Sequence, residues 1–171
     1  MIELDVSGSK FDYVDFTEAH LFLREIPEPN QNLELRAWGV TLLSELKELY
    51  GSEYSDDIYI AGFCDIIFEK VIYAEIMMAV YKSIDRQLPY LDEEGNDVMI
   101  RGRWGDLKFK ESSGLYIMGG SIEWPSAHSS QFDVYSNSKV IIKYNKENAI
   151  LAEEYCRNPR KYSYKHYNSR S

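Results

Sequence analysis

With 171 residues the chain fits one domain large enough to bury a core of its own, so no metal or disulfide is required to hold it together. Hydrophobic residues at 44% and charged residues at 27% exclude a disordered or fibrous chain. The formal net charge of −9 hides a sharper division: the basic side chains Arg157, Arg160, Lys161, Lys165 and Arg170 stand at the C-terminal end without an acid among them, leaving 14 basic against 28 acidic side chains elsewhere, a net of −14. Such a body argues against nucleic acid as a partner, because that affinity rests on Lys and Arg neutralising phosphates, and favours a basic protein drawn in by long-range steering.

The opening residues MIELDVSGSK lack a basic region followed by an apolar run, so no signal peptide is expected. No stretch approaches the ~20 apolar residues of a membrane-spanning helix. Two cysteines, Cys64 and Cys156, are too few for a disulfide framework, and a reduced, cytoplasmic setting is the expectation. Cys64 reads as a small buried hydrophobe; a Cys64–Cys156 disulfide stays open as an alternative.

In chain order, Ala19, Leu21 and Leu23 alternate with His20, Phe22 and Arg24, predicting a strand over 18–25. The breaker cluster IPEPNQN then predicts a hairpin loop. Leu33, Leu35 and Ala37 predict a strand over 32–40, and Leu42, Leu46 and Leu49 a helix over 42–50 with Gly51 as its C-cap. One helix spanning 33–50 is the competing reading, opposed by Gly39, Val40 and Thr41.

The strongest signal is 58–82, whose even positions from Ile58 to Val80 are apolar or glycine except Lys70. The pattern is that of a half-buried strand. At ~3.3 Å per residue it would be far longer than an ordinary strand, so breaks are expected near Gly62 and at Glu69-Lys70. Beyond the acidic turn LDEEGND, Val98, Ile100, Gly102 and Trp104 predict a further strand, Leu107 and Phe109 continue an alternation, and Tyr116, Met118, Gly120, Ile122 and Trp124 another that Pro125 stops. Phe132 and Val134 face Val140, Ile142 and Tyr144 across Ser136-Asn137-Ser138, which reads as a hairpin turn. Asn145 is a candidate N-cap for a helix over 146–157. The expected architecture is one α+β domain over 1–157: a mainly antiparallel, strongly curled sheet of eight or nine short strands with one or two helices, closing toward a barrel. Residues 158–171 form a basic, tyrosine-rich C-terminal tail, expected to fold back on the acidic body; binding of single-stranded nucleic acid by stacking and charge is the alternative.

The sequence carries no nucleophile elbow, HExxH, phosphate-binding loop, dinucleotide fingerprint or CxxC. His20, His128 and His166 are scattered, and His128 beside Ser126, Ser129 and Ser130 reads as a polar loop histidine. No catalytic residue, metal or cofactor is assigned. The acidic 91–97 stretch lacks the ligand spacing of a calcium loop. The candidate partner-binding residues are two acidic clusters: Glu53, Asp56 and Asp57, and Asp92, Glu93, Glu94 and Asp97.

One resemblance bears on function. The strand HLFLREI, a turn, the strand NLELRAW and later DIYIAGFCDIIFEKV are laid out as in small bacterial β-rich immunity proteins of polymorphic toxin systems. The matching residues are Glu18-Ala19-His20, Leu33-Glu34-Leu35 and Phe68-Glu69-Lys70-Val71, with Thr17-Glu18 where the pattern carries His-Asp. The resemblance covers 15–80 and implies a non-enzymatic cytoplasmic protein that binds a cognate toxin and blocks it. Two other classes compete: a ligand-binding or enzymatic barrel lined by Trp104, Tyr116 and Trp124, and a phage or host structural protein that assembles through sheet edges. Oligomeric state is not readable from the sequence.

Overall fold

The alternating stretch becomes two strands, β6 (Ile58–Ile60) and β7 (Phe63–Val80), separated at Ala61-Gly62. Gly62 lies so close to Asn148 that a Cβ there would fall 2.4 Å from its amide nitrogen. The computed structural model describes residues 1–23, 30–51, 54–82, 91–124 and 127–162, and of Ser112 and Trp124 the backbone only.

Glu69-Lys70 does not end the strand as expected. β7 runs on for 18 residues because two bulges bend it. Between Leu33↔Phe68 and Gln31↔Val71, β7 spends one residue more than its partner β4 (Gln31–Trp38), and Lys70 takes φ 49. The Lys70 amide donates to Asn32 Oδ1 at 3.2 Å. Ile72 is the second extra residue, this time against β12 (Phe132–Ser136). Each bulge exchanges inner and outer faces, so the pair restores parity: Phe68, then Val71, then Ala74, Ile76 and Met78 are buried.

Every other part of the main sheet is placed by β7. On one side lie β4 along its first half and β8 (Met99–Gly105) along its second. On the other side β11 (Ala127–Ser129), β12 and β13 (Val140–Tyr144) follow one another antiparallel down its length. The hairpin expected at Ser136-Asn137-Ser138 is therefore not made: β12 and β13 both pair with β7. Ser136 Oγ donates to the Glu69 carbonyl and accepts from the Ser138 amide, pinning a local irregularity where a reversal was expected.

β1 (Ile2–Asp5) lies outside β13, β9 (Gly114–Met118) outside β12 and β10 (Ser121–Trp124) outside β11. β10 then pairs in parallel with β3 (His20–Leu23), and β3 forms the anticipated hairpin with β4. The path β7–β11–β10–β3–β4 returns to β7, so the ten-stranded sheet curls into a ring. A second sheet of four strands joins β14 (Ala149–Leu151), β6, β5 (Thr41–Leu42) and β2 (Val14–Asp15). The fold is thus α+β and mainly antiparallel with a curled sheet, but it has fourteen strands among the described residues, several of only two to four residues.

Helix is confined to short pieces. The 42–50 expectation resolves into a 3-10 turn, Ser44–Leu46, and α1 (Lys47–Tyr50), closed by Gly51 at φ 118; the single helix over 33–50 does not form. Leu107–Ser112 is a 3-10 turn and not an alternating strand, because Asp106 Oδ1 caps the Lys108 amide. Asn145 does cap, through Glu147, but only Lys146–Asn148; β14 intervenes before α2 (Ala152–Arg157). One apolar cluster fills the interior. Phe11 meets Phe16, Phe68 and Tyr116 at ring distances of 5.5, 5.8 and 5.0 Å.

Candidate functional site

The two acidic clusters hang from opposite ends of the β6–β7 stretch. Glu53 lies outside the described residues. Asp56 is exposed, while Asp57 is half-buried and structural: its Oδ1 accepts from the Ser44 amide at 2.8 Å and its carbonyl from the Ala152 amide at 2.9 Å. At the far end, residues 91–97 between β7 and β8 form a self-supporting turn. Asp92 Oδ1 accepts from the amides of Glu94 and Asn96, both at 2.9 Å, and Gly95 takes the left-handed φ of 84 that the reversal needs. Asp92 is thus the brace of the turn. Glu93, Glu94 and Asp97 are exposed, and none is held in an ion pair among the described residues. No hydrogen bond or ion pair among those residues joins the two clusters.

The turn leads into a surface that the acidic patches did not point to. On the outer face β9, β12, β7 and β8 align Ile117, Asp133, Glu75 and Arg103 in one cross-strand row. A trough of about 570 Å³ runs along it, with Glu75 and Met77 as its floor, Met99, Arg101 and Arg103 of β8 on one side and Ser129, Ser130, Gln131 and Asp133 on the other. Gly105 ends β8 at φ 97, and the following 3-10 turn brings Lys110 over the trough. Glu75 is the hub: Tyr73 Oη donates to it at 3.1 Å, Lys110 Nζ at 3.3 Å, and Arg103 Nε lies 4.0 Å away. The Lys110 ammonium also sits over the Tyr73 and Tyr135 rings at 5.5 and 5.3 Å. Burial, and then the hydrogen bond to Glu75, raise the Tyr73 phenol above its ordinary value. The signal for this face was present in the odd positions of 99–103, where Met99, Arg101 and Arg103 oppose the apolar even ones.

Large apolar side chains are exposed beside both features: Leu91, Met77, Met99 and Ile100 near the turn, and Leu107 and Phe109 past the end of β8. The expected barrel liners are otherwise engaged. Tyr116 is buried in the core and Trp104 stacks on Phe132 with ring centroids 6.2 Å apart; the Trp124 side chain lies outside the described residues.

Two histidines reach β10 from the strands on either side of it, His20 from β3 and His128 from β11. His128 Nε2 and Ser121 Oγ are 2.9 Å apart, and His20 Nδ1 lies 3.2 Å from Glu123 Oε2. Among the described residues no group of three or more His, Cys, Asp or Glu side chains is placed to hold a metal ion. Of the serines flanking His128 in sequence, Ser129 turns instead to its own loop, bonding Gln131.

At the C-terminal end of the described part, Tyr155 of α2 and Tyr162 pack on the body of the protein. The Tyr155 ring stacks on Tyr59 at 3.8 Å and its hydroxyl donates to Glu18, while Trp38 Nε1 donates to the Tyr162 carbonyl at 3.3 Å. Residues 163–171 lie outside the described part. Both cysteines are free thiols: Cys64 is buried and Cys156 exposed. Burial, with Asp65 adding to it, pushes the Cys64 thiol up to about 12. A thiol reagent such as DTNB is therefore expected to titrate one thiol in the native chain and two after unfolding. Two fast-reacting thiols in the native chain would show that β7 opens readily.

No helix among the described residues is long and apolar enough to cross a membrane. The chain matches no protein-family model, no curated protein and no solved structure.

Proposed function

We propose that this chain is a non-enzymatic acidic binding protein, an inhibitor or immunity protein that neutralises a basic protein partner such as a toxin. The observation that carries the reading is the 91–97 turn. It is braced by Asp92, wholly exposed, and flanked by exposed Leu91, Met77, Met99 and Ile100. Unpaired carboxylates beside solvent-facing apolar side chains combine a steering charge with area to bury, the two ingredients of a fast and specific protein interface. Glu93, Glu94 and Asp97 make the contact, with Asp92 holding them in place. Asp56 and Glu53 belong to a second acidic region that contributes to the long-range field.

The test is binding to a panel of basic bacterial toxin domains, followed by surface plasmon resonance at several salt concentrations. At least one domain is expected to associate with a rate that falls steeply with salt. Reversing Glu93→Lys and Glu94→Lys together should slow that association about tenfold and flatten its salt dependence. A panel with no binder, or a binder indifferent to both salt and the double reversal, would remove the basis of this function.

A further inference from the structure

We propose a second docking surface, distinct from the acidic turn: β8 is an edge that accepts an extended acidic segment of another protein as an added strand. Among the described residues β8 pairs with β7 alone. The direction of its backbone groups follows from the ends of that ladder. The Val80 amide donates to the Val98 carbonyl at 3.0 Å, and the Asp106 amide to the Ile72 carbonyl at 3.3 Å. Hydrogen-bonded and non-hydrogen-bonded pairs alternate in an antiparallel ladder. Ile100, Gly102 and Trp104 therefore turn their amides and carbonyls toward β7, whereas Met99, Arg101 and Arg103 turn theirs outward.

The same outward residues set the chemistry of the occupant. Arg101 stands opposite Met77 and Arg103 opposite Glu75 on the outer face. Arg103 has Glu75 at 4.0 Å, and Arg101 makes no ion pair among the described residues. In an added strand the residues directly opposite Arg101 and Arg103 share that face, so carboxylates belong there. The intervening residues fall on the face of Ile100 and Trp104 and are apolar. The segment recognised is thus one of alternating acidic and apolar residues.

A second copy of this chain fits poorly: two β8 edges related by a two-fold axis at Gly102 would set Arg101 against Arg103, a like-charge pairing. A nucleic acid fits poorly as well, because the outward amides and carbonyls of Met99, Arg101 and Arg103 pair with another peptide backbone, which a phosphodiester chain lacks.

The experiment uses the full chain and a fluorescein-labelled eight-residue peptide of alternating valine and glutamate, followed by anisotropy at low salt. Saturable binding is expected, weakened about tenfold by Arg101→Glu, a change that breaks no ion pair among the described residues. The lysine counterpart of the peptide should show the reverse preference. N-methylation at the glutamate amides should abolish binding, since those amides meet the edge; this arm needs no protein variant. Absence of binding at millimolar peptide, equal binding to Arg101→Glu, or equal binding of the N-methylated peptide would overturn the proposal. So would tighter binding of a ten-nucleotide oligothymidine, or a dimer in sedimentation that the peptide disrupts.

Discussion

Phe68→Ala is expected to lower the unfolding free energy by about 3–5 kcal/mol. The Phe68 ring is fully buried, meets Phe11 at 5.8 Å and Tyr116 at 5.7 Å, and stands in register with Leu33 of β4 and Val140 of β13. It is the last inward residue before the Lys70 bulge, so its neighbours come from both flanks of β7 at the point where the strand bends. Flanking strands anchored by backbone ladders cannot collapse into the space it leaves, and the cavity term is added to the lost transfer energy. A domain with the usual stability of about 5–15 kcal/mol would retain little margin. Urea unfolding followed by tryptophan fluorescence reads the change. A loss below about 1 kcal/mol would mean that Phe11 and Tyr116 repack freely and that the interior is less fixed than its geometry indicates.

Gly120→Ala is the second large effect, and Gly95→Ala is its control. Both glycines have positive φ, 93 and 84. A Cβ at Gly95 meets nothing within 4 Å, so that change costs only the backbone strain of about 1–2 kcal/mol. A Cβ at Gly120 would lie 2.3 Å from the Phe16 carbonyl oxygen and 2.7 Å from that of Ala19. Backbone must move, and it is the backbone that joins β10 to β3: the Ser121 amide donates to Ala19 at 2.9 Å just before the parallel register begins. A loss of about 3 kcal/mol or more is expected, well beyond the control. Equal losses for the two variants in the same unfolding assay would show that closure of the ring at this seam adds nothing to stability.

The parts of the fold that could be read in advance are those in which one residue's burial fixes the next. The alternation in 58–80 gave β6, β7 and the interruption at Gly62; the hairpin of β3 and β4 followed from two alternating runs around prolines. Bulges defeat that reading. At Lys70 and Ile72 the period of two slips and recovers, which in sequence looks like a stop. At 136–140 two collinear strands look like a hairpin, because a Ser-Asn-Ser cluster has the composition of a turn whether or not the chain reverses. The 107–112 segment shows local capping prevailing over a short alternation. On the site, composition identified the acidic turn but not the division of labour within it, since only the hydrogen bonds reveal Asp92 as a brace. The outer-face trough was hidden for another reason. Glu75 is distant in sequence from Arg103 and Lys110 and joins them only once β8 pairs with β7.

The placement of β7 also governs how the chain comes off the ribosome. The strand is made early with only β4 to pair with, and one whole flank of it is supplied by residues 127–144. Until those arrive, Ala74, Ile76 and Met78 present an uncovered apolar face beside an unsatisfied backbone edge, the kind of surface that chaperones shield and that aggregates seed from. The decisive step of folding therefore waits for residues 127–144, and a nascent chain stalled before residue 127 lacks the strands that cover this flank of β7.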